Sequence, residues 1–135
     1  MTDLPNLIST PWIIAAVAVF QIKHLFADFI LQNTWMAHGK EKPEGWLAPL
    51  SAHAGVHAAL TTLIFVVLAP AYAWLGLVDF AIHFTIDRTK ALLTRMFDAN
   101  AAHTAFWWLI GIDQTLHHLT HLAYSVVLAL AHTPR

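Results

Sequence analysis

Histidine and aspartate residues recur four positions apart in otherwise apolar stretches of this sequence. The sets are His24 and Asp28; His53 and His57; Asp79, His83 and Asp87; and Asp113, His117 and His121. Four residues advance an α-helix by slightly more than one turn, so each set would form a narrow stripe on one helix face. The spacing therefore predicts four helices that each carry one polar stripe.

These stripes contain the donor types that bind divalent metal ions. The chain has no cysteine, which excludes thiolate ligands, disulfides and iron–sulfur clusters. Imidazole and carboxylate ligands without sulfur suit Zn, Mn or Fe, and i,i+4 ligands from several helices can converge on one ion. We predict a centre of one or two divalent ions, held by His24, Asp28, His53, His57, Asp79, His83, Asp113 and His117. Asp87 and His121 are predicted to orient ligands or to move protons.

The other histidines are expected to play ordinary roles. His38, His103 and His132 fall at predicted interfaces or helix ends, where surface histidines are common. His118 lies off its helix stripe and is expected to be structural. Lys90, one turn beyond Asp87, is expected to extend along its helix so that its ammonium reaches the interface.

The apolar spans of the sequence predict the helices that position these residues. The 58% hydrophobic and 11% charged composition is typical of a membrane protein. Apolar helical patterns cover about residues 11–33, 47–69, 71–97 and 103–131, each long enough to cross the hydrocarbon core. We predict an all-α fold: an integral membrane four-helix bundle with an interior His/Asp cluster, forming a single domain over residues 1–135.

The basic residues in the connections and toward the ends of these spans indicate how the bundle is oriented. They cluster near the first and third connections and almost avoid the opposite side, at Lys40, Lys42, Arg88, Lys90 and Arg95 against Arg135. Under the positive-inside rule, we expect both termini outside and all four stripes in the cytoplasmic half of the membrane or near its middle. The first ten residues lack the positive segment of a signal peptide, and none is expected.

Several function classes remain compatible with the stripes. The formal charge of −1 offers no basic surface for nucleic acid. The leading hypothesis is a metal-dependent hydrolase that takes an amphiphilic substrate from the cytoplasmic leaflet, with membrane lipid as its surroundings. Alternatives are haem held by His53 or His57 facing His117 or His121, a proton or metal-ion pathway, a nonenzymatic subunit of a membrane complex, and a purely structural hydrogen-bond network. Self-association is compatible with all of them.

The combined motifs are similar to those of one known family. They are His-Leu-Phe-Ala-Asp-Phe-Ile-Leu-Gln at 24–32, His-x3-His at 53–57, Asp-Phe-x2-His-x3-Asp-x2-Lys at 79–90 and Asp-Gln-x2-His at 113–117. They resemble the small bacterial inner-membrane family of domain of unknown function 3307. That resemblance implies a bacterial membrane protein and implies no activity. A looser similarity, in the use of intramembrane His and Asp, is to families described as membrane-bound metal-dependent hydrolases.

Overall fold

Four long helices and one short one build the part of the chain that the computed structural model describes, residues 8–134. Helix α1 spans Thr10–Leu25 and continues as a π-helical turn over Phe26–Ile30; α2 is the short helix Thr34–Gly39; α3 spans Leu47–Leu68, α4 Leu75–Met96 and α5 Thr104–Ala131. No strand occurs among these residues. The predicted all-α class is confirmed.

Local chemistry explains where the helices depart from the predicted bounds. The first helix was expected to run regularly to residue 33, but Leu31 N–H bonds to the carbonyl of Phe26 at 2.9 Å, which widens the last turn. Within the predicted loop, Asn33 Oδ1 accepts from Met36 N–H at 2.9 Å and caps α2. A 3₁₀ turn over Pro70–Tyr72 occupies the predicted start of the third long helix.

The four long helices form a ring in which neighbours are antiparallel. Helix α1 packs on α5 and α3, α3 packs most extensively on α4, and α4 packs on α5. Both ends of the described chain meet, because Ser9 N–H donates to Thr133 Oγ1 at 2.9 Å. Helices α3 and α4 approach so closely that a Cβ at Gly76 would overlap Thr62. This ring gives all four predicted stripes a common interior.

The interior has an apolar half and a polar half. The apolar half lies at the end that holds the chain termini and consists of Ala16, Phe20, Phe65, Ala69, Leu75, Tyr124 and Leu128. The polar half lies toward α2 and contains the buried histidines, aspartates and two lysines. Many large apolar side chains face outward instead, among them Phe29 and Leu77, which are 76% and 77% exposed.

Two stretches among the described residues are long and apolar enough to cross a membrane, Thr10–Ile30 and Leu47–Leu68. About a third or less of each stretch is buried within the protein. Helices α4 and α5 have the length but carry more polar residues.

Candidate metal centre

Histidine rings from all four long helices meet in the polar half of the bundle. The ring of His83 lies 5.1 Å from that of His53, 3.7 Å from that of His57 and 4.1 Å from that of His117, measured between centroids. His24 on α1 lies 5.7 Å from His117. The four stripes converge, as their spacing predicted. Within residues 8–134, three groups of ligand atoms lie close enough to hold a metal ion.

The first group combines Asp28, His53, His57 and His83. Asp28 Oδ1 lies 2.9 Å from His57 Nε2 and 3.4 Å from His53 Nε2, and His53 Nε2 lies 3.3 Å from His83 Nε2. Tetrahedral Zn–N bonds of about 2.0–2.1 Å place neighbouring ligand atoms roughly 3.3–3.4 Å apart. These three distances are close to those around one tetrahedral ion, and all four ligand atoms lie within 4.8 Å of one another.

A second group, His83, Asp87 and His117, lies directly beside the first. His117 Nδ1 donates to the Asp113 carbonyl at 2.9 Å, which leaves the Nε2 lone pair pointing into the cluster, 3.5 Å from Asp87 Oδ1. This is the usual arrangement of a metal-binding histidine. His83 Nε2 belongs to both groups, being 3.8 Å from Asp87 Oδ2. Since one nitrogen serves one ion at a time, two ions would have to divide these ligands.

The third group, His24, His57 and His121, already contains a cation. The buried ammonium of Lys23 lies 3.2 Å from His57 Nδ1 and 3.4 Å from His121 Nε2, and it pairs with Asp79 Oδ2 at 2.9 Å. A divalent ion placed beside this ammonium would meet strong repulsion. The third group is therefore the weakest of the three as a metal site.

Lys23 also constrains the role of His57. If the ammonium donates to Nδ1, neutral His57 must carry its proton on Nε2 and donate it to Asp28 Oδ1 at 2.9 Å. In that state His57 has no lone pair for an ion. The geometry favours His57 as a residue that orients Asp28, with Asp28 itself at the ion.

The predicted ligands Asp79 and Asp113 lie outside all three groups. The Asp79 carboxylate accepts from Lys23 at 2.9 Å and from Thr61 Oγ1 at 2.6 Å. The Asp113 carboxylate lies 3.7 Å from Lys90 Nζ and accepts from Gln114 at 3.0 Å. Each carboxylate is thus held by a lysine at one edge of the cluster. Lys90, which was expected to extend to the interface, instead lies between Asp113 and Glu41.

Sequence reasoning missed Lys23 and Lys40 as parts of the cluster. Lys40 follows α2 and reaches back to Asp87 Oδ2 at 2.8 Å, with both side chains buried. A lysine inside an apolar span must find a partner, and this rule could have found Lys23. Nothing in the helical spacing pointed to Lys40, because it lies in the connection. Thr61 continues the stripe of His53 and His57 and was detectable.

Histidines off the stripes lie away from the three groups. His38 and His103 are exposed, as expected for surface residues. His132 is partly buried and stacks on Trp12 with 3.6 Å between centroids, which ties the two ends of the bundle together. His118 is exposed, 5.2 Å from the ring of His24.

The family described as a protein of unknown function (DUF3307) matches residues 16–133. That match covers the bundle from within α1 to just beyond the end of α5. The chain belongs to this family. No match is found among the curated proteins or among the solved structures. Membership of DUF3307 confirms the resemblance drawn from the motifs and brings no activity with it. The similarity to metal-dependent hydrolases gains no support from these comparisons.

This DUF3307 protein buries an unusual number of polar atoms without partners. In the described part of the chain, no hydrogen bond reaches Nδ1 of His24, His53, His83 or His121, nor Nε2 of His117. A buried polar atom left unsatisfied costs about 1–3 kcal/mol, so a network built for stability would leave few. Of these atoms, His117 Nε2 points into the cluster, and an ion coordinated there would supply its missing partner.

A cavity of about 220 Å³ borders the cluster on the side of α2. Asp28, His53, Asp87 and His117 share its wall with Lys40, among other residues. The candidate ligands therefore have one side free for a small molecule, which a catalytic metal site requires and a closed structural site lacks.

Proposed function

We propose that this chain is a metal-dependent hydrolase of the bacterial inner membrane that acts on an amphiphilic substrate at the cytoplasmic leaflet. The observation that carries the proposal is the convergence of His53, His83, His117 and two carboxylates beside a cavity, with the buried Nε2 of His117 lacking a hydrogen-bond partner. Hydrolysis is proposed because the donor set is free of sulfur and the cavity leaves room for substrate and water.

The distribution of polarity supports a membrane location. Ionisable groups fill the interior of the ring, while large apolar side chains such as Phe29, Leu63, Leu77 and Leu119 face outward. A soluble bundle has the reverse arrangement. We propose that all four long helices lie in the membrane with the termini outside, so that α2 and the basic connections face the cytoplasm.

Each residue of the cluster beside the cavity is assigned a role in this proposal. A divalent ion makes water acidic enough to supply a nucleophile at neutral pH and polarises the bond under attack. Asp28, His53, His83 and His117 are the proposed ligands, and His57 holds Asp28 in place. Asp87 lines the cavity and is the proposed ligand of a second ion or the acceptor of the water's proton.

His121 has a more distant role in this proposal. It lies beside Lys23 and its ring stacks on Phe20 of the apolar half, with 5.9 Å between centroids. It is not among the residues that line the cavity. We therefore assign His121 to positioning Lys23, and Lys23 to fixing the proton of His57, instead of to contact with substrate.

Two observations favour a site over the alternatives. The polar half ends at the layer of Phe20, Phe65 and Tyr124, so the cluster is accessible from one side, whereas a transport pathway would need access from both. The ring of His83 packs against the rings of His57 and His117, at 3.7 and 4.1 Å between centroids, and fills the space that haem between these two histidines would need.

Metal analysis tests the proposal most directly. Protein purified without chelator in detergent should contain stoichiometric Zn, Mn or Fe and should show no Soret band. Hydrolysis of amphiphilic esters should be lost with chelator and restored with metal. Protein that is empty of metal, and whose thermal stability does not rise when Zn, Mn or Fe is added, would contradict the proposal, because an ion that binds only the folded state must stabilise it.

A further inference from the structure

The cavity beside the candidate ligands is lined by charges of both signs. Two ammonium groups, those of Lys40 and Lys90, share its wall with the carboxylates of Asp28, Asp87 and Asp113. Without an ion, the carboxylates outnumber the ammonium groups. One divalent ion reverses the sign of the net charge on the wall. The loaded cavity therefore suits an anion, and the empty cavity repels one.

An apolar groove lies between α4 and α5, next to this cavity. It has a volume of about 210 Å³ and is lined mainly by Thr85, Ile86, Thr89, Leu93, Leu109 and Ile112. Lys90 and Asp113 line both the groove and the cavity, so this ion pair forms the boundary between the two spaces.

The groove continues outward along α5. Ile112 and Leu116 also line a shallow surface depression of about 530 Å³ that contains Trp107 and Trp108. If the bundle lies in a bilayer, this depression faces lipid and the groove opens sideways toward it. A molecule entering from the membrane would then pass from apolar walls to Lys90 and reach the ligands last.

We infer that the ligand of this site is an amphiphile with a phosphate-monoester head and a single hydrocarbon chain. The head occupies the cavity, against the metal ligands, Lys40 and Lys90; the chain occupies the α4–α5 groove. This inference rests on the proposed function and names its substrate class. Phosphate is favoured because its oxygens can contact the ion and accept hydrogen bonds from both ammonium groups at once. In hydrolysis, the water oxygen bonds to phosphorus, the ester P–O bond breaks, and the alcohol leaves with a proton, releasing inorganic phosphate.

Phosphorus NMR on protein loaded with Mn²⁺ tests this inference without relying on activity. Bound Mn²⁺ broadens the ³¹P signal of any phosphate held near it, and electron paramagnetic resonance counts the bound Mn²⁺ separately. The probes are dodecyl phosphate and inorganic phosphate. We expect dodecyl phosphate to be broadened at concentrations about tenfold or more below those needed for inorganic phosphate, because only its chain fills the groove. Chelated protein should bind neither.

Matched variants locate the chain. Ile112 and Leu119 are both exposed apolar residues of α5, at 52% and 55%, but only Ile112 lines the groove. Ile112→Trp should weaken the binding of dodecyl phosphate about tenfold and leave the binding of inorganic phosphate unchanged. Leu119→Trp should change the binding of neither. Lys90→Met should weaken both phosphates. Unchanged Mn²⁺ stoichiometry shows that each variant is folded.

The outcomes separate this inference from the proposal beneath it. Bound Mn²⁺ with equal affinity for both phosphates would mean a site for free phosphate and would overturn the amphiphile. Bound Mn²⁺ with no broadening of either probe would overturn the inference and leave the metal centre standing. Dodecyl phosphate bound equally well by chelated protein would refute the charge argument. Absence of bound Mn²⁺, Zn²⁺ and Fe²⁺ would overturn both proposals. These wild-type comparisons decide the matter even if a variant fails to fold.

Discussion

Replacing His83 with alanine separates a metal centre from a structural network. His83 is buried, and its Nε2 belongs to both of the groups that lie against the cavity. Structural zinc sites with four ligands bind with about 10–16 kcal/mol, which is roughly 2.5–4 kcal/mol per ligand. If His83 is a ligand, its loss should weaken metal binding by about two to three orders of magnitude.

The same variant in the absence of metal should lose less stability. The hydrogen bond with His53 and the ring contacts with His57 and His117 are lost, and Nδ1 of His83 has no hydrogen bond within the described residues. Loss of that bond and of the buried ring should cost about 1–3 kcal/mol. The destabilisation caused by His83→Ala should therefore depend on metal. With saturating metal, the variant should lose ~2.5–4 kcal/mol more unfolding free energy than it loses without metal, equal to its loss in metal-binding free energy.

Denaturant unfolding in detergent micelles, with Zn²⁺ or with chelator, measures this coupling. His132→Ala is the control for a buried ring without a metal role: it loses the stacking on Trp12 and should cost about 1–2 kcal/mol under both conditions. His38→Ala, at an exposed position, should change nothing. If His83→Ala is destabilised equally with metal and with chelator, the cluster is a structural network and the reasoning fails.

Three further predictions test neighbouring parts of the bundle. Asp87→Ala should lower a stoichiometry of two bound ions to one, measured by elemental analysis; an unchanged count would exclude Asp87 as a ligand. Lys23→Met should destabilise the protein by ~3–5 kcal/mol, because it leaves the buried carboxylate of Asp79 without its cationic partner. The double variant Lys23→Met/Asp79→Leu should recover most of this stability, measured by thermal unfolding. A single cysteine at the exposed position Lys42 should react only with reagents that reach the cytoplasm, and labelling from the periplasmic side would reverse the proposed orientation.

Helical spacing was sufficient to predict that the stripes converge, but it does not state which residues of a stripe can reach the same ion. Residues eight apart on a helix are separated by about 12 Å along its axis, too far for one ion. In α4, this places Asp79 and Asp87 at opposite edges of the cluster, with His83 between them. In α5, Asp113 and His121 are separated in the same way. The stripes correctly identified which face of each helix turns inward. The rise per residue adds that the residues at the centre of a stripe are the ones placed to meet those of the other helices.

Contacts across the bundle were beyond prediction from one sequence. The pairing of Lys23 with Asp79 joins α1 to α4, and that of Lys40 with Asp87 joins the connection after α2 to α4. Periodicity states which face a residue occupies, and it carries no information on which opposing residue lies at the same depth. The π-helical turn at Asp28 adds to the difficulty, because its wider turn changes the direction of the residues that follow.

The polar interior also explains why only two of the long helices are apolar enough, averaged along their length, to be identified as candidate membrane spans. A hydropathy window averages over the whole circumference of a helix, whereas lipid meets the outer face alone. In α4 and α5 the buried stripes of aspartate and histidine lower that average, although Leu77, Trp107, Trp108 and Leu119 face outward. The helices that contribute most to a buried polar site are therefore the ones that such a window underestimates. The low apparent hydropathy of α4 and α5 therefore follows in part from the buried aspartates and histidines of the site they share, to which α4 adds the exposed Arg95.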